Sequence, residues 1–170
     1  AVNARILDLA HARSEDIATR LERDGVRVIN GRGVLVGPSQ VLVQDGSEEY
    51  LLAADTVLLA TGARPRVLGS AMPDGERILT WEQVWGLAAV PEHLIVVGSG
   101  VTGAEFASAY RGLGAEVTLV SSRDQVLPGR DQDAAAVLED VFTRRGISVM
   151  PRARATSAQR VRDEVVVTLE

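Results

Sequence analysis

The chain has 170 residues, 46% hydrophobic and 24% charged, with a formal net charge of −5 and no cysteine. That composition is ordinary for a globular protein long enough to bury a core in one or two domains. An acidic balance without a basic stripe argues against a nucleic-acid partner, and the lack of cysteine excludes disulfides, thiolate nucleophiles and cysteine-type zinc sites within the chain.

Residues 3–24 read as one or two helices, with Ile6, Leu7, Leu9, Ile17 and Leu21 as the apolar positions and Ser14 able to cap a second segment. Gly25 ends them. Residues 26–29, 34–36, 41–43 and 50–52 follow as short strands of an antiparallel meander, punctuated by Gly31-Arg32-Gly33, Gly37-Pro38-Ser39 and Asp45-Gly46. Residues 56–60 form a more continuous apolar run, as in a strand buried on both faces. That run ends in Ala60-Thr61-Gly62-Ala63-Arg64-Pro65, which would set backbone groups at a sheet's carboxyl edge. Alone, a Thr-Gly-x-x-Pro turn is no more than a loop.

Residues 66–77 are a connection containing Gly and Pro. Thr80-Trp81-Glu82-Gln83 fits a capping box opening a short helix through Leu87, with Trp81 and Trp85 on one face as packing residues. Pro91 then opens a new unit, so a domain boundary is expected near residues 89–92.

The next stretch carries the most information. His93-Leu94-Ile95-Val96-Val97 is an apolar strand, Gly98-Ser99-Gly100-Val101-Thr102-Gly103 a glycine turn, and Ala104-Glu105-Phe106-Ala107 the start of a helix that ends at Gly112 and Gly114. Glu116-Val117-Thr118-Leu119-Val120 is a second strand. A G-x-G-x-x-G match becomes meaningful in this strand–turn–helix–strand context. Gly98 permits the tight turn, Gly100 lets a pyrophosphate approach the backbone, and Gly103 lets the helix pack close to the strand. The helix start then turns free N–H groups and a positive dipole end toward the phosphates.

After Ser121-Ser122-Arg123-Asp124 and Leu127-Pro128-Gly129, a helix is expected from a cap at Asp131 to Arg145, with Val137, Leu138, Val141 and Phe142 inward. Residues 147–150 form a third parallel strand, and beyond Pro151 another meander of short strands follows. Helical crossovers force a parallel sheet. His11 and His93 have no ligand-like spacing, so no metal site is expected. No apolar run approaches the roughly 18 residues of a membrane span and no signal peptide opens the chain, so a reducing, cytoplasmic setting is the expectation. The first residue is not Met and the last residues form a strand pattern without a closing turn, so the chain reads as a piece of a longer protein.

Ala60-Thr61-Gly62-x-x-Pro65 followed by Gly98-x-Gly100-x-x-Gly103-x-Glu105 resembles the two-dinucleotide-binding flavoproteins, the pyridine nucleotide-disulfide oxidoreductase family. Within it, the strings Ile78-Leu79-Thr80-Trp81 and Val97-Gly98-Ser99-Gly100-Val101-Thr102-Gly103-Ala104-Glu105 are similar to lipoamide-dehydrogenase-like members and the NAD(P)H:quinone reductase branch. The resemblance implies an α/β fold of Rossmann-like parallel sheets with antiparallel β-meander crossovers. Residues 1–89 would be the latter part of an FAD domain and residues 90–170 an incomplete NAD(P)-binding domain.

It implies FAD and NAD(P)H as cofactors, with hydride passing from NAD(P)H to FAD and on to a quinone or disulfide acceptor; dihydrolipoamide dehydrogenase and a non-catalytic dinucleotide-binding module are the alternatives. Gly33 would lie near the FAD adenine, and Ala60, Thr61 and Gly62 along its phosphates. Gly98, Ser99, Gly100, Val101, Thr102 and Gly103 would carry the NAD(P)H diphosphate. Glu105 matches the Glu that bonds the nicotinamide carboxamide; its alternative is a first-turn acid favoured by the helix dipole. Ser121, Ser122 and Arg123 would face the adenosine ribose, and Ala155 would pass near the adenosine. NAD-preferring relatives carry an acid where this chain has Ser121, and Arg123 is the local candidate for a 2′-phosphate, so relaxed or NADPH-leaning preference is expected. The whole protein would be a homodimer. No catalytic acid, base or nucleophile is assigned within these residues.

Overall fold

The computed structural model describes residues 2–170. It divides into two compact units, Ala1–Arg64 and Pro65–Glu170.

The first unit opens with one continuous helix, α1 (Val2–Arg23), running straight through Ser14, which therefore caps nothing. No glycine or proline interrupts it, and Asp16 pairs with Arg13 at 3.4 Å and Arg20 at 3.1 Å across that region. No helix among the described residues is long and apolar enough to cross a membrane. Strands β1 (Arg32–Gly37), β2 (Gln40–Asp45) and β3 (Glu48–Ala53) form the expected antiparallel meander in sequence order.

Two expected strands are absent. Residues 26–29 and 56–60 have no strand assignment, and Val26, Val28, Leu58 and Leu59 are exposed, Leu58 at 87%. A strand exists only as part of a ladder, and no described strand pairs with either run. Their apolar character shows what they are suited to, but burial on both faces needs neighbours on both sides.

The second unit is built on a parallel sheet of β4 (His93–Val97), β5 (Glu116–Val120) and β6 (Ile147–Met150), in that order. The register pairs Val97 with Val120 and Val120 with Met150, so the three carboxyl ends lie level. Helix α3 (Val101–Gly112) connects β4 to β5 and α4 (Gln132–Arg144) connects β5 to β6. Ala104, Ala107 and Tyr110 form the inner face of α3, where small side chains bring the helix close to Val117 and Leu119 of β5. On α4 the buried positions are Ala135 and Phe142, with Leu138 packed between them; Val137 is 63% exposed rather than inward. A single residue step rotates a helical position by about 100°, which carries Val137 off the stripe that Leu138 occupies. Asp131 caps α4 as expected, its carboxylate accepting from the Ala134 N–H at 2.9 Å.

Residues 65–89 pack with this sheet. Thr80 donates its N–H to Gln83 Oε1 at 2.8 Å at the start of a one-turn helix, α2 (Trp81–Val84), shorter than expected. Leu79, Val84 and Leu87 join the core, the Tyr110 hydroxyl donates to the Val84 carbonyl at 3.3 Å, and Trp85 meets Phe106 with ring centroids 5.0 Å apart. Trp85 is thus a packing residue, whereas Trp81 is 45% exposed. The expected boundary near residue 90 falls inside the second unit. Beyond β6, β7 (Ala155–Val161) and β8 (Glu164–Leu169) pair as an antiparallel hairpin. Arg160 of β7 binds Asp74 and Glu76, pinning the 66–77 connection to the hairpin.

Candidate functional site

The carboxyl edge of the parallel sheet is where the chain concentrates its unusual backbone. Gly98 follows β4 with a φ of +110°, a conformation side chains rarely adopt, while its N–H still donates to Val120 O at 2.9 Å and extends the ladder. The strand therefore stays paired to its last residue and then turns sharply.

Gly103 is required for a different reason. A Cβ there would lie 1.9 Å from the Gly98 carbonyl oxygen and 3.4 Å from Val96 Cγ1, so the first turn of α3 rests directly on the turn before it. Gly100 is different again. It is the N-cap of α3, with φ −67° and ψ −178°, and a Cβ built on it meets nothing within 4 Å. Neither conformation nor internal packing demands glycine at 100. The space in front of it is open, and it lies at the start of a helix of 12 residues whose leading N–H groups have no intrahelical acceptor. A diphosphate fits this cradle: the backbone is bare, the field is positive and the approach is clear.

Around this turn the structure gathers the other residues read from the sequence. Val101, Thr102 and Glu105 lie on the first turns of α3, all exposed. α3 starts at Val101, so Glu105 is one turn on and is not a first-turn acid. Ser122 and Arg123 are exposed in the loop after β5. Ala155 begins β7, just beyond Ala153, whose N–H donates to Ser121 O at 2.9 Å; the Arg152 N–H donates to Arg123 O at 3.0 Å. Main-chain bonds thus draw residues 98–103, 121–123 and 152–155 along one sheet edge.

Two members of the set face inward. Ser121 is fully buried and Ser99 is 4% exposed. The Ser99 hydroxyl donates to Ser121 Oγ at 2.7 Å, and Ser121 Oγ in turn donates to Arg123 O at 3.1 Å and accepts from the Arg123 N–H at 3.2 Å. The Ser121 side chain thus faces the protein interior in place of a ribose. Long-range side-chain pairing of this kind leaves no periodic trace in a sequence.

The loop from Ser121 to Asp131 also contains residues the sequence does not assign to the site. Leu127 holds a φ of +53°, costly for a non-glycine residue, while its N–H donates to Ser99 O at 2.8 Å. The Val126 N–H points at Glu139 Oε2 at 3.4 Å. An open cavity of about 530 Å³ lies beside this loop, lined by Arg123, Asp124, Gln125, Pro128, Gly129 and Gln132. Gln125 in the loop and Gln132 at the start of α4 carry no sequence signal, because an isolated polar residue in either place reads as solvent-facing.

The remaining predicted residues belong to the first unit. Gly33 sits in β1 opposite Val43, and Ala60, Thr61 and Gly62 lie in an exposed stretch without regular structure. Gly62 turns with a φ of +71° and has no atom within 4 Å of an added Cβ, so it too offers open backbone.

Comparison with known proteins agrees with this geometry. Residues 3–170 match the family described as "Pyridine nucleotide-disulphide oxidoreductase". The chain is 52% identical to an NAD(P)H dehydrogenase (quinone) of Mycobacterium tuberculosis over 99% of its own length and 36% of the relative's. It is 39% identical to a dihydrolipoyl dehydrogenase of Zymomonas mobilis, over 86% of this chain and 34% of that protein. Among solved structures, the crystal structure of LpdA from M. tuberculosis superposes with a TM-score of 0.87 and 50% identity, covering 99% of this chain and 38% of that one. The chain thus spans about a third of the length of the relatives it matches.

Proposed function

The chain belongs to the pyridine nucleotide-disulphide oxidoreductase family, whose members use FAD and NAD(P)H, and from that premise we propose that the intact protein is a flavin-dependent NAD(P)H oxidoreductase serving a quinone. When bound, the two cofactors supply hydride transfer from nicotinamide to flavin and onward to the acceptor; the residues of this chain bind and orient them. The observation that carries the reading is the division of labour among three glycines: one needed for conformation, one for helix contact, and one, Gly100, needed by neither.

In this reading residues 1–89 contribute the latter part of an FAD domain and residues 90–170 most of an NAD(P)H domain. The N–H groups from Gly98 to Gly103 hold the nicotinamide nucleotide's diphosphate. Glu105, one turn into α3, bonds the carboxamide. Ser122, Arg123 and the backbone near Ala155 border the adenosine, with Arg123 available to a 2′-phosphate; no acid stands at Ser121 to repel one. Gly33 approaches the FAD adenine, and Ala60, Thr61 and Gly62 its phosphates. The whole protein is a homodimer.

The test is spectroscopic. The intact protein carries flavin absorbance, and NADH or NADPH bleaches it anaerobically before a short-chain quinone restores it. Preference for lipoamide over quinone transfers the assignment to the dihydrolipoyl dehydrogenase branch. Nucleotide binding without bleaching leaves a non-catalytic binding module.

A further inference from the structure

We propose that the buried Ser99–Ser121 hydroxyl pair is a positioning device that ties the diphosphate turn to the loop bearing Arg123, and so sets how well the site accepts a 2′-phosphorylated nucleotide. The proposal rests on the nucleotide reading above and adds a role for two side chains that cannot reach a ligand. Ser99 sits between the two open glycines of the turn, yet its side chain points away from them, 4% exposed, onto a fully buried Ser121. Every hydrogen-bonding position on Ser121 Oγ is used: it accepts from Ser99 Oγ at 2.7 Å and the Arg123 N–H at 3.2 Å, and donates to Arg123 O at 3.1 Å, with the Gln125 carbonyl a longer acceptor at 3.5 Å from both hydroxyls.

One hydroxyl therefore grips both main-chain groups of Arg123 and is itself held by the diphosphate turn. The same turn is bound a second time from the loop, through the Leu127 N–H to Ser99 O at 2.8 Å, at the cost of a left-handed leucine. The Arg152 N–H adds a third bond to the Arg123 backbone, at 3.0 Å to its carbonyl. With its main chain clamped, Arg123 keeps an exposed side chain lining the cavity beside the loop. A guanidinium on a fixed backbone loses less freedom when it pairs with a phosphate than one on a mobile loop. The hydroxyl pair thus acts through Arg123, without touching nucleotide.

The measurement is calorimetric titration of the intact protein with ADP-ribose and with its 2′-phosphorylated form, neither of which turns over. Ser121→Ala is expected to weaken the 2′-phosphorylated ligand roughly two- to tenfold more than ADP-ribose, the span of one hydrogen bond. Ser99→Ala should shift the ratio in the same direction, and the double variant no further than the larger single change, because Ser121→Ala already removes the bond that Ser99→Ala removes. A purely structural role would weaken both ligands in parallel or only lower the melting temperature; a parallel loss, or an unmoved ratio, overturns the proposal. Should Ser121→Ala fail to fold, Ser99→Ala decides alone, since it leaves both Ser121–Arg123 bonds in place. An unmodified protein that binds neither ligand removes the nucleotide reading itself, whereas binding with an unmoved ratio removes only the positioning role.

Discussion

Gly103→Ala isolates the contact between α3 and the strand it follows. The added Cβ would lie 1.9 Å from the Gly98 carbonyl oxygen and 3.0 Å from its carbon, both main-chain atoms. A close carbon–oxygen contact needs about 3.3 Å, so helix and turn must separate by roughly 1.4 Å. The turn cannot yield freely, because Gly98 N–H is bonded to Val120 O at 2.9 Å and its φ of +110° leaves few alternatives. Nor can the helix retreat without opening a gap beside Ala104 and Ala107, both buried against the sheet. Overpacking of this kind costs about 3 kcal/mol. Against it stands a gain of about 1 kcal/mol from replacing a helical glycine by alanine. The steric term wins by about 2 kcal/mol, or roughly 10 °C in melting temperature for a domain of this size. Thermal unfolding followed by circular dichroism reads this directly. A variant melting within about 2 °C of the unmodified protein would refute the claimed contact.

Asp74 accepts main-chain N–H bonds from Glu76, Arg77 and Ile78 at 2.8–2.9 Å, which, with Arg160 beside it, hold its carboxyl at about 2 instead of 3.8. Because the folded value is the lower one, this stabilisation is present above pH 4 and is lost as pH falls toward 2. Melts across that window should show a shallower acid dependence for Asp74→Asn, and an identical slope would discount the carboxylate's part. Arg111 donates through Nε to Arg145 O at 2.7 Å and through Nη1 to Ala115 O at 3.1 Å, tying the end of α4 to the entry of β5. Arg111→Ala should lower stability by about 1 kcal/mol in urea titration, with no change in nucleotide affinity; a loss of affinity would place this residue's influence at the sheet edge.

Much of this molecule was legible in order. The strand–glycine–helix–strand run succeeded because three independent requirements, a turn, an open approach and a close contact, each select glycine at its own position. The cap at Asp131 and the capping box at Thr80 are local chemistry and equally readable. What depends on neighbours was not. Residues 26–29 and 56–60 have strand composition yet join no ladder among the described residues, since composition fixes suitability and only a partner fixes a ladder. Val137 reads as inward but lies exposed, because Ala135, less hydrophobic by composition, takes the buried position. From its place at the end of a strand, Ser121 reads as a ribose contact. Its inward hydroxyl follows from Ser99, a residue of the glycine turn that sequence assigns only to the ligand.

Bare main-chain amides at the mouth of the parallel sheet are the core of the proposed function, and Gly100 is the residue that tests them. It has no internal reason to be glycine, so Gly100→Ala should melt within a few degrees of the unmodified protein. Calorimetric titration with ADP-ribose should then show affinity at least tenfold weaker, about 1.4 kcal/mol, for the variant. Equal affinity in the two proteins would contradict the claim that the diphosphate lies on this turn.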